Sequence, residues 1–480
     1  MIALHPHSSS LGSIEQFGLD VLLDLSRLLR YTGDGDVVRL RVSESDISLS
    51  EIIAKGWPLG RAPGVVTIPR GMLRVVGEIA GAAAEQRSSM RDRFERVPSS
   101  ANALVAAGAE REPIVSRCAV ELRRAAIEAA DRRPIRLLAP WHDGKRWAAA
   151  FSHDLDIVQR WPAFTALRLA ELARKGEVAR AARVFAAAVR SAAGDPVWSA
   201  VEEVLRIERE RSVHSTWFIL CGTPTWATLR AGDLTYVPES AAARRIIAAA
   251  AREGHELGLH GSFETYTDEH ALRAQGQRLA HLANRQLDGV RQHYLRMLPG
   301  VTQRSMIAAG FAYDSTFGFA DRNGFRLGVA DIVPAWSDAQ AEPLAIDEVP
   351  FIWMDRALSK YQGLESPASW VIDALELASI CREVEGLWTG IWHPNLAPAL
   401  GFPGAPGAFA SLVRDITAQA PYVASMGELV AWRRARRHTR ATALRPDGSV
   451  AYRMTGAADA RVTLENGAGR PTGERAESPT

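Results

Sequence analysis

Two acids one residue apart close an apolar run in Phe151-Ser152-His153-Asp154-Leu155-Asp156. Carboxylates this close can divide labour, one holding a hard or borderline cation while the other takes a proton. Other apolar runs end in polar, titratable residues too. His260 closes an alternating stretch and is followed by Gly261, Ser262, Phe263 and Glu264. Arg291, His293, Tyr294 and Arg296 precede Pro299-Gly300; Asp314, Ser315 and Thr316 follow Ala312-Tyr313; His393-Pro394-Asn395 follow Trp392. A histidine at a strand end serves equally as ligand, proton donor or hydrogen-bonded structure, so each motif alone is open. Their recurrence at the same end of successive runs describes a site. His255, at the other end of its run, reads as structural, and Trp217, Phe218, Trp353 and Trp388 as core.

Such residues need a frame that gathers strand ends. Beyond Arg146, short apolar runs alternate with amphipathic helices, with strands expected at Trp147–Ser152, Val213–Leu220, Glu256–His260, Val290–Leu295, Ala312–Thr316, Val349–Met354 and Leu387–Trp392. Helix ends are legible: Gly254 and Gly310 as stops, Ser366-Pro367 as a start, Gly386 as the next stop. Alternating strands and helices imply βαβ units and a parallel sheet, either barrel or doubly wound, and in a barrel catalytic groups project from the carboxyl ends of the strands. Ala-rich helices over about 162–211 interrupt the first crossover. The division expected is an α+β accessory region at 1–138, the main domain at 139–435 with that insertion, and a short extension at 436–480 carrying a small hairpin around Pro446-Asp447-Gly448 and a disordered end. The basic run RRARRHTR after Trp432 reads as the exposed end of the last helix, where arginine complements the dipole, in preference to a phosphate site.

Composition excludes some classes. The 57 basic and 55 acidic side chains nearly cancel, which argues against a nucleic-acid or membrane surface as partner. Three separated cysteines, Cys118, Cys221 and Cys381, suit buried thiols better than a disulfide framework. The first residues lack the pattern of a signal peptide, and no apolar run reaches the roughly 20 residues of a membrane helix. A cytoplasmic protein is the expectation.

In order along the chain these segments resemble the polysaccharide deacetylase family, the NodB-homology domain of carbohydrate esterase family 4. FSHDLD resembles its first motif, STWF the following strand, HGSFE its second motif, GVRQHYLRMLPG its Arg-Pro segment, and GIWHPN its last. The combination of HDxD, RQHYLR and WHPN is similar to an intracellular subgroup, and the likeness spans about 146–432. The resemblance implies a distorted (β/α)7 barrel with a divalent metal, zinc by family habit, in its mouth. Carried over, Asp154 would be the general base, Asp156 and His260 metal ligands, His393 the general acid, and Arg291, in preference to Arg296, the partner of the base. Two departures matter. Leu155 separates the acidic pair, which leaves open which Asp does what. The second metal histidine is replaced by Glu264, taken as the third ligand, with His293 and His270 as alternatives. His293, Tyr294, Arg296, Asp314, Arg326, Trp392 and Asn395 are candidates for holding a sugar.

The function expected is a metal-dependent deacetylase acting on an N-acetylated sugar or glycan precursor. Two other readings stand beside it: hydrolysis of a small non-sugar amide, possible without metal, and a catalytically inactive barrel that binds a glycan or a protein.

Overall fold

The alternation beyond Arg146 folds into a parallel sheet that curls back toward itself. Its strands are β1 (Ala148–Leu155), β2 (Thr216–Leu220), β3 (Glu256–Gly261), β4 (Gly289–Gln292), β5 (Tyr313–Asp314), β6 (Trp353–Met354) and β7 (Leu387–Ile391). They pair in parallel in the order β5-β4-β3-β2-β1-β7-β6. The computed structural model describes the whole chain except residues 5–9, 34, 160–161, 191–193, 227, 229–235, 365, 455–461, 475 and 477–480.

The open side of the sheet is spanned by the segment leading into β6. Val349 N–H donates to the Asp314 carbonyl (2.8 Å), Phe351 N–H to Phe317 (2.9 Å) and Ile352 N–H to Thr389 (3.0 Å). One irregular strand thus touches β5 behind it and β7 ahead, which makes the seventh position of a distorted (β/α)7 barrel. All eight residues of β1 and all five of β2 and β7 are buried. Helices cover the outer face and side chains fill the inner one, so these strands read as near-continuous apolar runs. An antiparallel hairpin, Val333–Ser337 with Glu342–Glu348, adds to β5 from outside. Neither strand is legible in the sequence, because the first is interrupted by Pro334 and the second begins with exposed polar residues.

The insertion between β1 and β2 is three helices, Pro162–Arg174, Val178–Arg190 and Pro196–Glu210. The remaining chain builds a second sheet of seven strands. Ile2–Leu4 pairs in parallel with both Arg30–Tyr31 and Val38–Ser43, and the latter with Val65–Pro69. Helices Ser13–Leu25, Arg70–Ala80 and Ile114–Ala129 contribute buried residues to its core. The hairpin at the chain's end, Arg440–Leu444 with Val450–Arg453, extends this same sheet through Arg30–Tyr31. Leu464–Asn466 pairs with Arg136–Leu138, and the Glu474 carboxylate accepts from Arg136 at 2.8 Å. Residues 464–474, partly expected to be disordered, are therefore fastened to the accessory region through a separate two-stranded sheet, while 477–480 lie outside the described residues.

The basic run is the clearest correction. Arg433 and Arg436 are almost fully buried. Arg433 pairs with Asp331 (2.7 Å) and Asp24 (3.3 Å), and Arg437 with Asp24 (3.0 Å) and Asp347 (2.6 Å). Helix Met426–Arg437 therefore ends as an ionic joint between the accessory sheet and the barrel, neither exposed nor open to phosphate. All three cysteines are free and buried. Among the described residues no helix is long and apolar enough to cross a membrane.

Candidate active site

The two-residue period of a strand explains the acidic pair. Along β1, Ser152 and Asp154 point into the barrel, where both meet Arg291 on β4: its Nη1 donates to Ser152 Oγ (3.1 Å) and Asp154 Oδ1 (2.6 Å). Its Nε and Nη2 donate to the Ser315 carbonyl and hydroxyl at 2.9 and 2.8 Å. The guanidinium is fully buried and lies 4.2 Å over the Phe218 ring. That ring fits only because β3 carries Gly258, where a Cβ would stand 2.7 Å from it. His153 and Leu155 point outward among helices, His153 against Trp217 and Phe409. Leu155 therefore keeps both acids on the inner face, where Asp154 and Asp156 line one cavity of about 390 Å³. Consecutive acids would have faced opposite ways.

His260, near the end of β3, is fixed by its Nδ1, 2.8 Å from the Arg291 carbonyl. A carbonyl only accepts, so Nδ1 carries the hydrogen and Nε2 presents its lone pair. That Nε2 lies 3.5 Å from Asp156 Oδ1 and 3.8 Å from Asp154 Oδ2. His293 Nε2 also stands 3.5 Å from Asp156 Oδ1. A strained turn delivers it: Tyr294 and Leu295 both have left-handed backbones, φ 58° and 55°. Such conformations cost about 1–2 kcal/mol per non-glycine residue and cluster at functional sites. Arg96 Nη1 holds the turn from outside by donating to the Tyr294 carbonyl (2.8 Å).

Asp156, His260 and His293 thus form a three-donor cluster whose ligand atoms all lie within 4.8 Å of one another. Asp156 Oδ1 is buried and accepts no hydrogen bond, although two imidazoles face it. A tetrahedral zinc with donors at about 2.0–2.1 Å would hold them roughly 3.4 Å apart, close to the 3.5 Å that separates Asp156 Oδ1 from each imidazole. The cluster fits a divalent cation of that kind.

His393, just past β7, completes the mouth. Its Nδ1 donates to Asp355 Oδ1 (2.7 Å), its backbone N–H donates to Asp355 Oδ2 (2.6 Å), and its Nε2 faces Asp156 Oδ2 at 3.7 Å. Burial alone would lower the His393 pKa, but the Asp355 carboxylate outweighs it and raises the imidazole above its ordinary value. At Asp154 burial works upward and is outweighed by Arg291, then by His260 and His393, so the carboxyl sits below the usual range. Asp156 is lowered the same way, burial opposed first by the neighbouring imidazole of His260 and then by those of His293 and His393.

The remaining expected residues divide. Tyr294 and Asn395 line the cavity, and Asn395 Oδ1 is buried with no hydrogen-bond partner. Glu264, expected as third ligand, is exposed on the loop after β3 and lies outside the cluster, because that loop leads outward into a turn at Thr265–Thr267. Its place is taken by His293. Arg296 is a strut: it donates to the Phe94 and Phe263 carbonyls (3.1 and 2.6 Å) and lies over the Tyr266 ring. Arg326 is buried against Glu85 and the Gly318 and Val97 carbonyls, tying the accessory region to the barrel. Asp314 is buried away from the cavity, accepting from Thr316, and Trp392 is packed on Trp353, Trp370 and Phe409. His270 belongs to helix Glu269–Ala283 and is not in the cluster. Asp355 is not among the expected residues although its signal is present in the sequence, since Asp355-Arg356 follow the sixth apolar run as polar residues follow the others.

No family model matches the chain, and no curated protein does. Among solved structures, a Mycobacterium smegmatis protein assigned to the polysaccharide deacetylases is 23% identical, with TM-score 0.42, covering 64% of this chain and 96% of that one. Puue allantoinase is 12% identical, with TM-score 0.39, covering 61% and 92%. The peptidoglycan deacetylase PdaC from Bacillus subtilis is 10% identical, with TM-score 0.27, covering 59% and 89%. Likenesses this distant leave the chemistry to be read from the residues themselves.

Proposed function

We propose that the chain is a metal-dependent amide hydrolase that removes acetyl groups from an N-acetylated sugar or glycan precursor, with Asp154 as general base and His393 as general acid. The observation that carries this reading is the placement of two proton-handling groups on either side of a three-donor cluster within one cavity. Asp154 Oδ1 is engaged by Arg291, which leaves Oδ2 to accept a proton from an attacking water. Arg291 keeps that carboxyl ionised and fixes its direction. His393 gives its Nδ1 hydrogen to Asp355, so Nε2 is the atom that hands a proton to the departing nitrogen. Without that proton, C–N cleavage would expel a poor leaving group. A divalent cation on Asp156, His260 and His293, zinc by donor chemistry, would polarise the acyl oxygen and acidify the water. Tyr294 and Asn395 offer hydrogen bonds to sugar hydroxyls from the wall.

The test is elemental analysis of the purified chain and of Asp156→Ala and His260→Ala, combined with acetate release from a panel of N-acetyl sugars. One divalent ion per chain, lost in both variants together with acetate release, is the expected result. No metal after supply of zinc, cobalt, nickel and manganese, and no acetate release, would overturn the reading. Turnover that persists without metal would move it to metal-independent amide hydrolysis.

A further inference from the structure

The cavity holds more positive charge than its own acids match. Two of its four cations are already committed. Arg96 pairs with Asp92 (2.7 Å) while holding the Tyr294 carbonyl, and Arg168 pairs with Glu171 (2.5 Å). Of the acids, Asp154 is matched by Arg291 and Asp156 faces the histidines. Arg356 and Lys360 remain, and neither has a carboxylate within 4.0 Å among the described residues. Instead they rest on aromatic faces. The Arg356 guanidinium lies 5.5 Å from the Phe402 ring centroid, and the Lys360 ammonium 5.9 and 5.6 Å from those of Tyr294 and Tyr361. Aromatic contact steadies a cation while leaving its N–H donors free.

Their placement on the chain is equally specific. Asp355, which holds His393, begins the helical turn that carries them, and Ala357–Tyr361 is wound as a π-helix. Such turns are frequent at functional sites. Four residues apart, Arg356 and Lys360 share one face of that turn, the face that lines the cavity. Two unmatched cations on one wall of a small pocket favour a ligand that brings negative charge.

We propose that the substrate carries an anionic group, a phosphate or a carboxylate, bound by Arg356 and Lys360 while its acyl amide lies between Asp154 and His393. The inference rests on the amide-hydrolase reading and narrows its substrate class. A neutral polymer would leave both cations unmatched, and a cavity of about 390 Å³ suits a small molecule.

The full-length protein with zinc supplied is assayed on N-acetylglucosamine, its 1-phosphate, its 6-phosphate and the corresponding C6 uronate. Expected is a kcat/KM for one anionic compound at least about tenfold above that for the neutral sugar, expressed mainly in KM. Arg356→Gln and Lys360→Gln each shrink that preference several-fold, and the double variant brings it near one. Which anionic compound leads separates phosphate from carboxylate. The same four compounds are titrated calorimetrically into His393→Ala, which reads binding apart from turnover. Anionic binding that depends on Arg356 and Lys360, with no acetate released by the wild type, would uphold the anion site and overturn the hydrolase reading. Equal cleavage and binding of neutral and anionic compounds, or a preference that survives in the double variant, would overturn the anion site and leave the hydrolase reading standing. No binding and no turnover with any compound would overturn both.

Discussion

His153 and His393 lie on adjacent strand positions of the barrel, both buried and both bonded through the ring to a buried carboxylate. On the flank, His153 uses both nitrogens: Nδ1 is 2.8 Å from the Trp392 carbonyl and Nε2 is 3.0 Å from Glu208. Glu208 also accepts from Ser215 (2.9 Å), and Ser215 meets His255 Nδ1 (3.1 Å) and accepts from Trp217 Nε1 (3.1 Å). In the mouth, His393 uses Nδ1 alone, and Asp156 beside it keeps a buried oxygen without a hydrogen bond. Buried polar atoms left unmade cost about 1–3 kcal/mol each, so the flank is built as stability demands and the mouth is not. A buried histidine–carboxylate pair is therefore no mark of function. The mark is an atom left open toward a cavity.

The strongest break of this contrast lies in the proton-handling groups. Asp154→Asn and His393→Ala should each lower kcat for acetate release by about 10²–10⁴-fold, the range of general acid–base catalysis. Metal content, read by elemental analysis, should stay near that of the wild type in both. Retention of activity within tenfold in Asp154→Asn would remove Asp154 from the role of base.

The metal donors come next. His293→Ala should weaken metal binding by more than the roughly 10–100-fold that loss of a mere supporting partner costs, while Glu264→Ala should leave affinity unchanged. A competitive chelator titration reads both. The reverse pattern would restore the glutamate and make His293 a wall residue.

How much of this was written in the sequence depends on the scale of the cause. Buried parallel strands leave apolar runs, so the barrel was legible, and so were the strand-end residues Asp154, Asp156, His260, Arg291 and His393. Strand period also made sense of HDLD once its direction was known. The sequence offers His293 only as an alternative to Glu264, because its aim depends on two successive left-handed residues, Tyr294 and Leu295, and neither type favours that backbone. Arg296, Arg326 and the run at Arg433–Arg437 were misjudged for a related reason. An arginine's partner is set by distant chain, here Phe94, Glu85 and Asp24, and nothing local announces it. The accessory sheet's last strands come from the far end of the chain, a pairing that no local pattern encodes.

Asp355 and His153 permit a sharper contrast, because each supports a histidine bond of similar length. Asp355→Asn should lower kcat about 10–100-fold with KM little changed, since it releases the ring of His393 without touching the cavity wall. His153→Ala should leave kcat per folded molecule unchanged and lower stability by about 1–3 kcal/mol, as expected when Glu208 loses its partner. Urea unfolding and steady-state kinetics on both variants separate the roles. Loss of activity in a fully folded His153→Ala would extend the site into the flank.

The smallest effect concerns two more buried acids, and it sets the mouth against the barrel's outer wall. Asp314 and Glu348 are register partners on parallel strands, both almost fully buried. Asp154 has Arg291 in direct contact. This pair has only neutral donors, Thr316 on Asp314 and Gln303 on Glu348 (2.9 Å). Burial pushes Asp314 up to about 6, and burial with the neighbouring Asp314 raises Glu348 well above the usual carboxylate range. Groups raised in this way hold protons in the folded chain that the unfolded chain releases. For Asp314 that contribution is thus full below the unfolded carboxylate pKa near 4 and is lost as pH rises through about 6, and for Glu348 it is lost as pH rises through its own raised pKa. Glu348→Gln puts a permanently neutral amide in the place of the protonated acid. It can still accept from Gln303 and can donate to Asp314. The variant should match the wild type near pH 5 and exceed it by about 1 kcal/mol at pH 8, on the scale of one pKa unit. Urea unfolding at the two pH values reads the difference. Parallel pH slopes in the two proteins would mean that the pair is ionised and matched by charge, and the outer wall would then resemble the mouth.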